Sequence, residues 1–140
     1  MELGYLLTPF VAWLVAGSTK FAINSIKARQ PAFGLVGYGG LPSNHSAIVT
    51  SVAALIAIRE GIGHPAFGVA VGLAFIVMLD ASSLRKQVGK QAAAINRLAA
   101  DSGHPQLRER MGHTLLEILA GAAVGLLTAI ACHRLLPAFA

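Results

Sequence analysis

The sequence predicts an all-α integral membrane helical bundle, with about four main spans and one polar, amphipathic helical segment. Three observations carry that expectation. Charged residues make up 12% of the 140-residue chain, where a soluble domain usually carries about a quarter. Mean hydropathy is +0.65. The apolar residues also fall in long blocks, the distribution of membrane spans rather than of a soluble core. The length predicts a single domain, 1–140. Met1-Glu2 lacks the basic start of a secretory signal, so none is expected.

The first block, residues 3–19, predicts a helix that can run on to about 26, with Pro9 inside it. Residues 27–42 hold Gly34, Gly37, Gly39, Gly40, Pro31 and Pro42, which predicts irregular chain. A second helix is expected over Ser43–Ile58, stopped by Arg59-Glu60-Gly61. At 1.5 Å per residue it spans only about 25 Å, short for a bilayer core of about 30 Å. Pro65–Leu84 predicts a third helix, opened by its proline. Residues 85–112 are polar, but Val88, Ala92, Ile95 and Leu98 recur at helical spacing, which predicts an amphipathic helix lying on the membrane surface. His113–Leu136 is the expected fourth span.

Four spans place the 20–42 and 84–112 connections on one membrane face. That face holds nine of the eleven Lys and Arg, leaving Arg59 and Arg134 on the other. The positive-inside rule makes the basic face cytoplasmic, in a cell inner membrane. A net charge of +5 without aromatic residues among the basic ones argues against nucleic acid as a partner. Cys132, the single cysteine, excludes an internal disulfide. Gly121 and Gly125 are spaced for close helix packing. A homodimer is one reading of them, and contact with a helix of the same chain is the other.

The polar residues at block ends carry the chemistry. In "GGLPSNHSAIVT", residues 39–50, Ser43 is a good N-cap, so Asn44, His45 and Ser46 form a first turn. Free backbone N–H groups and the dipole favour an anion there. His113 and Glu117 are four apart, so a carboxylate can hold one imidazole nitrogen and leave the other as base or nucleophile. Asp80 lies in an apolar run, where a carboxylate is costly. It can pair with Arg85 or Lys20, or join His45, His113 and Glu117 around a metal. Three cations at the same level oppose a metal, so none is expected, nor any other cofactor. Lys20, Arg29, His45, Arg85 and His113 all fall at block ends on one face, a set suited to phosphate. His64, His104 and His133 are expected at the surface.

The order Lys20, Arg29, "PSNHS" at 42–46, Arg85 and "HTLLE" at 113–117 resembles the type-2 phosphatidic acid phosphatase superfamily. It is most similar to that superfamily's divergent short branch, with its recurring GG-P-S-x-H-S-A, D-A-x-x-x-R and G-H-x-x-x-E. The resemblance implies a metal-independent membrane lipid phosphatase acting on a phosphomonoester or pyrophosphate. Lys20, Arg29 and Arg85 would hold the non-bridging oxygens, with Ser43 helping. His113 would attack phosphorus and form a phosphohistidine, Glu117 would orient it, and His45 would protonate the leaving alcohol. The chain departs from the usual pattern at Gln30, which separates Arg29 from Pro31, and at Glu117, which stands where aspartate is usual. A non-catalytic phosphate binder or small transporter subunit is the alternative.

Overall fold

The computed structural model describes residues 3–33, 40–100 and 103–135. They form five helices: α1 (Leu3–Ala28), α2 (Asn44–Arg59), α3 (Pro65–Ser82), α4 (Leu84–Leu98) and α5 (Leu115–Leu135), with no strand among them. Leu3–Ala28, Leu115–Leu135 and the stretch Pro65–Leu98 are each long and apolar enough to cross a membrane. The last of these is interrupted by a turn at Ser83. α2 is the shorter apolar helix, at 16 residues. α1 continues through Pro9 and extends past its apolar block to Ala28. The glycine-rich residues 34–39, expected to be irregular, lie outside the described residues.

The radial distribution of side chains is that of a bundle in lipid. Buried positions are small: Ala12, Ala16, Ala47, Ala129, Ser43, Ser46 and Ser51 are all fully enclosed. Large apolar side chains face outward, among them Phe10, Val69, Phe75, Ile76, Leu119 and Leu127. In water such a surface would drive aggregation. In a bilayer, small residues let helix backbones approach and large ones meet the tails.

α2 is the central helix and packs against α1, α3 and α5. It runs antiparallel to α1, because the Tyr5 hydroxyl donates to Glu60 and the Arg59 guanidinium lies 5.1 Å over the Tyr5 ring. It runs parallel to α5, because Gly121 meets Ser43 and Ser46, and one turn on Gly125 meets Ala47 and Ser51. A Cβ on Gly121 would stand 2.3 Å from the Ser43 carbonyl oxygen, and one on Gly125 2.4 Å from that of Ala47. These glycines therefore serve packing within the chain, and their spacing gives no support to a homodimer.

Beyond α3 the chain turns at Ser83 into α4, which buries Gly89 and Ala92. Val88, Ile95 and Leu98, the other members of the expected apolar stripe, are exposed together with Leu84. The helix is amphipathic as expected, but its buried line is the small-residue one. Residues 103–112 return as a strap along it. Asn96 Nδ2 donates to the Leu107 carbonyl and to Glu109 Oε1, both at 2.8 Å, and its Oδ1 accepts from the Leu107 N–H at 2.8 Å. Gly89 admits the strap, since a Cβ there would lie 2.3 Å from the Glu109 carbonyl oxygen.

Candidate active site

Four elements deliver one polar cluster at the level where α2 and α5 begin. α1 supplies Lys20, α2 supplies His45, α4 supplies Arg85, and the segment ahead of α5 supplies His113. All four line a single cavity of about 680 Å³. The sequence leaves Arg85 and His113 separated by the whole polar segment, and the fold closes that gap. The His113 N–H donates to the Ala81 carbonyl at the end of α3, 2.8 Å away, four residues before Arg85. Gly112 makes the turn possible with φ +84°, and a Cβ there would strike Lys86 Cγ at 2.8 Å.

His113 is buried and its ring is oriented from one side. Its Nδ1 lies 3.1 Å from Glu117 Oε2, four residues on. The same carboxylate oxygen accepts the Thr114 N–H at 2.8 Å, while the Glu117 N–H donates to Thr114 Oγ1 at 3.3 Å. Thr114-x-x-Glu117 is thus a capping box for α5, a signal legible in "HTLLE". Glu117 is fixed twice, by the helix end and by the imidazole. The Glu117 carbonyl also accepts the Ser43 N–H at 2.9 Å, tying α5 to the start of α2.

Burial is the largest influence on the His113 ring and holds its pKa below the ordinary histidine value of 6.5. The hydrogen bond and charge of Glu117 pull the other way, and the Lys20 and Arg85 cations add to the lowering. The ring is therefore neutral at pH 7. With Nδ1–H directed to Glu117, Nε2 is left with a free lone pair. His45 lines the cavity beside the Lys20 and Arg85 cations.

The other expected residues divide. Asp80 Oδ2 accepts from Arg85 Nε at 2.6 Å, so of its alternative partners Arg85 is the one it meets. Among the described residues no three of His, Cys, Asp and Glu come together as a metal site. Ser43 is fully buried as the α2 N-cap. Its Oγ accepts from the Ser46 N–H at 3.3 Å and lies 3.0 Å from Ser46 Oγ, away from the cavity wall. Arg29 is exposed at the residue after α1, with φ 52°, and does not line the cavity. It closes the helix in the left-handed conformation usual at that position. Among the wall residues not singled out as site residues in the sequence are Arg108 from the strap, Ser18 and Asn24 of α1, and Asn44 beside His45. Asn44 Oδ1 is buried without a hydrogen-bond partner.

The cluster carries cations, two imidazoles and a helix N-terminus, with an oriented neutral ring at its centre. Such a set can hold a tetrahedral oxyanion and attack it. Comparison with known proteins gives the family. A family model described as "Divergent PAP2 family" matches residues 1–128. An uncharacterized membrane protein of Bacillus subtilis (strain 168), YuiD, is 31% identical, the match covering 87% of this chain and 89% of the relative. No solved structure matches the chain. The chain is a multi-pass membrane protein and belongs to the divergent PAP2 family.

Proposed function

We propose that the protein is a membrane lipid phosphatase that cleaves a phosphomonoester or pyrophosphate of a lipid through a phosphohistidine. One observation carries the reading: Lys20, His45, Arg85 and His113, from four separate elements, line one cavity, with Glu117 set on His113 Nδ1. Lys20 and Arg85 bind the non-bridging oxygens, and Asp80 holds the Arg85 fork in place. His113 Nε2 forms a bond to phosphorus as the bond to the leaving oxygen breaks, and His45 gives that oxygen its proton. Glu117 stabilises the positive ring that results. Water then attacks the phosphohistidine and returns a proton to His45, releasing inorganic phosphate and restoring His113. The positive charge comes from the chain itself, so no metal is needed. Ser43 positions the α2 N-terminus and does not touch the phosphate, and Arg29 belongs to the end of α1.

The test is phosphate release by purified protein from lipid phosphates in detergent, with and without EDTA, together with trapping of phosphohistidine by an alkaline denaturing quench, since the P–N bond survives base and is lost in acid. Release that survives EDTA is expected, with the label lost in His113→Ala. The same variant should lose at least about a thousandfold in kcat, the scale of removing a nucleophile. Saturable phosphate binding without release in the parent would leave a non-catalytic binder instead.

A further inference from the structure

The cavity is far larger than its charged end requires. Lys20, His45, Arg85 and His113 line it at the level where α2 begins, with Phe21 and Asn24 beside and beyond Lys20 on α1, while Gly17, Leu14 and Trp13 of α1 and Ile48 of α2 wall it at deeper levels. Its volume, about 680 Å³, is in the range that encloses a whole small-molecule ligand rather than a phosphate alone. The apolar wall runs down α1 away from the cluster. Trp13 is seven residues before Lys20, a descent of about 10 Å along the helix. Tryptophan in a span usually sits at the interface, where its N–H meets water. Trp13 lies in the interior half of α1, one wall of the cavity.

Two further features say what this wall is for. Trp13 is 50% exposed and Leu14 56%, although both line the cavity. The cavity is therefore open sideways, between α1 and the lipid, and not only at the membrane face. Gly17 stands midway between Trp13 and Phe21 on the same face. A Cβ at Gly17 would meet nothing closer than Asn44 Nδ2, at 3.4 Å. The glycine is not demanded by helix packing there, and what it preserves is the open channel.

We infer that the α1 wall from Phe21 past Gly17 to Trp13 is a tail-binding subsite. It takes the first stretch of the hydrocarbon chain of a lipid whose phosphate occupies the charged end, while the rest of the tail passes Trp13 into the bilayer. This rests on the proposed lipid phosphate reading and adds to it the route of the tail and the residue that meets it. Gly17 sets the width of the channel and Trp13 marks its lower end. The subsite does not measure total chain length, because it is open to lipid at that end.

Trp13 is the single tryptophan of the chain, which gives a readout independent of turnover. The full-length protein is placed in phosphatidylcholine vesicles, and a mid-tail brominated lipid is added as quencher, either phosphatidic acid or phosphatidylcholine at equal fraction. Brominated phosphatidic acid should quench Trp13 more strongly. The excess should vanish with unlabelled phosphatidic acid as competitor, and also in Gly17→Leu. In kinetics, Gly17→Leu should lower kcat/KM for long-tailed phosphatidic acid by about tenfold or more, the loss expected when two or so methylenes stay out of apolar contact. Its loss on p-nitrophenyl phosphate, which has no tail, should be several-fold smaller, and equal losses on both substrates would overturn the subsite. Gly17→Ala, which fits the open space, should retain the excess quenching, and a parent-like melting temperature of Gly17→Leu in detergent should rule out misfolding as the cause of its loss. Equal quenching by both brominated lipids in a protein that releases phosphate would overturn the subsite and leave the phosphatase standing. Excess quenching without phosphate release would do the reverse.

Discussion

The pH behaviour of the candidate site turns on His113. In the proposed mechanism the neutral ring is the attacking form, so activity should be lost as pH falls through its pKa. Burial holds that pKa below 6.5, and the acid limb of kcat/KM, which reports the free enzyme, should therefore lie below 6.5. Glu117 raises the pKa through its hydrogen bond and charge. Glu117→Gln should move the limb further down while reducing kcat by on the order of 10²–10⁴, as loss of an orienting carboxylate does in other nucleophile–histidine sites. A limb that moved up would contradict the assignment. His45 has a separate signature. A general acid matters most for a poor leaving group, so His45→Ala should harm a lipid phosphate far more than p-nitrophenyl phosphate, and equal loss on both would make it a binding residue. Lys20, His45, Arg85 and His113 were legible because each ends an apolar block, where a polar residue needs a reason. Arg29 met the same criterion but does not line the cavity, because it sits exposed at the left-handed residue that closes α1. Arg108 reaches the cavity only because the strap folds back on α4, a tertiary event that no spacing announces.

Among the elements, α2 and α5 form the frame that holds the site. Their parallel contact is made through glycine backbone, and His113 and Glu117 stand at its upper end. Gly121→Ala would drive a Cβ to 2.3 Å from the Ser43 carbonyl oxygen, so one of the two helices must shift. We expect a lower melting temperature in detergent and a lower kcat together, because the shift moves the Ser43 and Glu117 anchor. Gly68→Ala in α3 is the matched control. Nothing lies within 4 Å of a Cβ at Gly68, and alanine is the better helix former by about 0.5–1 kcal/mol. That variant should be as stable as the parent or more so, and fully active. If both substitutions left stability unchanged, the helix contact would not be tight. The helices themselves were readable from block length, the α3 proline and the stop at Arg59-Glu60-Gly61. The partner of the Gly121 and Gly125 pair was not, because close-packing spacing is the same whether the facing helix belongs to one chain or two.

For the whole molecule the open question is which way the bundle sits. The parallel run of α2 and α5, with α1 opposed, puts the starts of α2 and α5 and the far end of α1 on one face, together with α4 and the strap. The basic residues concentrate there. Lys20, Arg85 and Arg108 line the cavity and would be needed on either side of a membrane, so they say nothing about orientation. Setting them aside leaves Lys27, Arg29, Lys86, Lys90, Arg97 and Arg110 on the site face, against Arg59 and Arg134 on the other. Six against two still predicts, by the positive-inside rule, that the site faces the cytoplasm. The exposed Leu84, Val88, Ile95 and Leu98 of α4 fit the same face, since a surface-lying helix with basic neighbours is drawn to anionic lipid. Catalysis is therefore expected on the inner leaflet. With Cys132 replaced by alanine, a single cysteine at the exposed strap residue Gln106 should resist an impermeant maleimide in intact cells and react after lysis. A cysteine at exposed Ile62, in the turn between α2 and α3, should label in intact cells. The opposite pattern would invert the protein and move its substrate to the outer leaflet, leaving the chemistry of the cavity as it is.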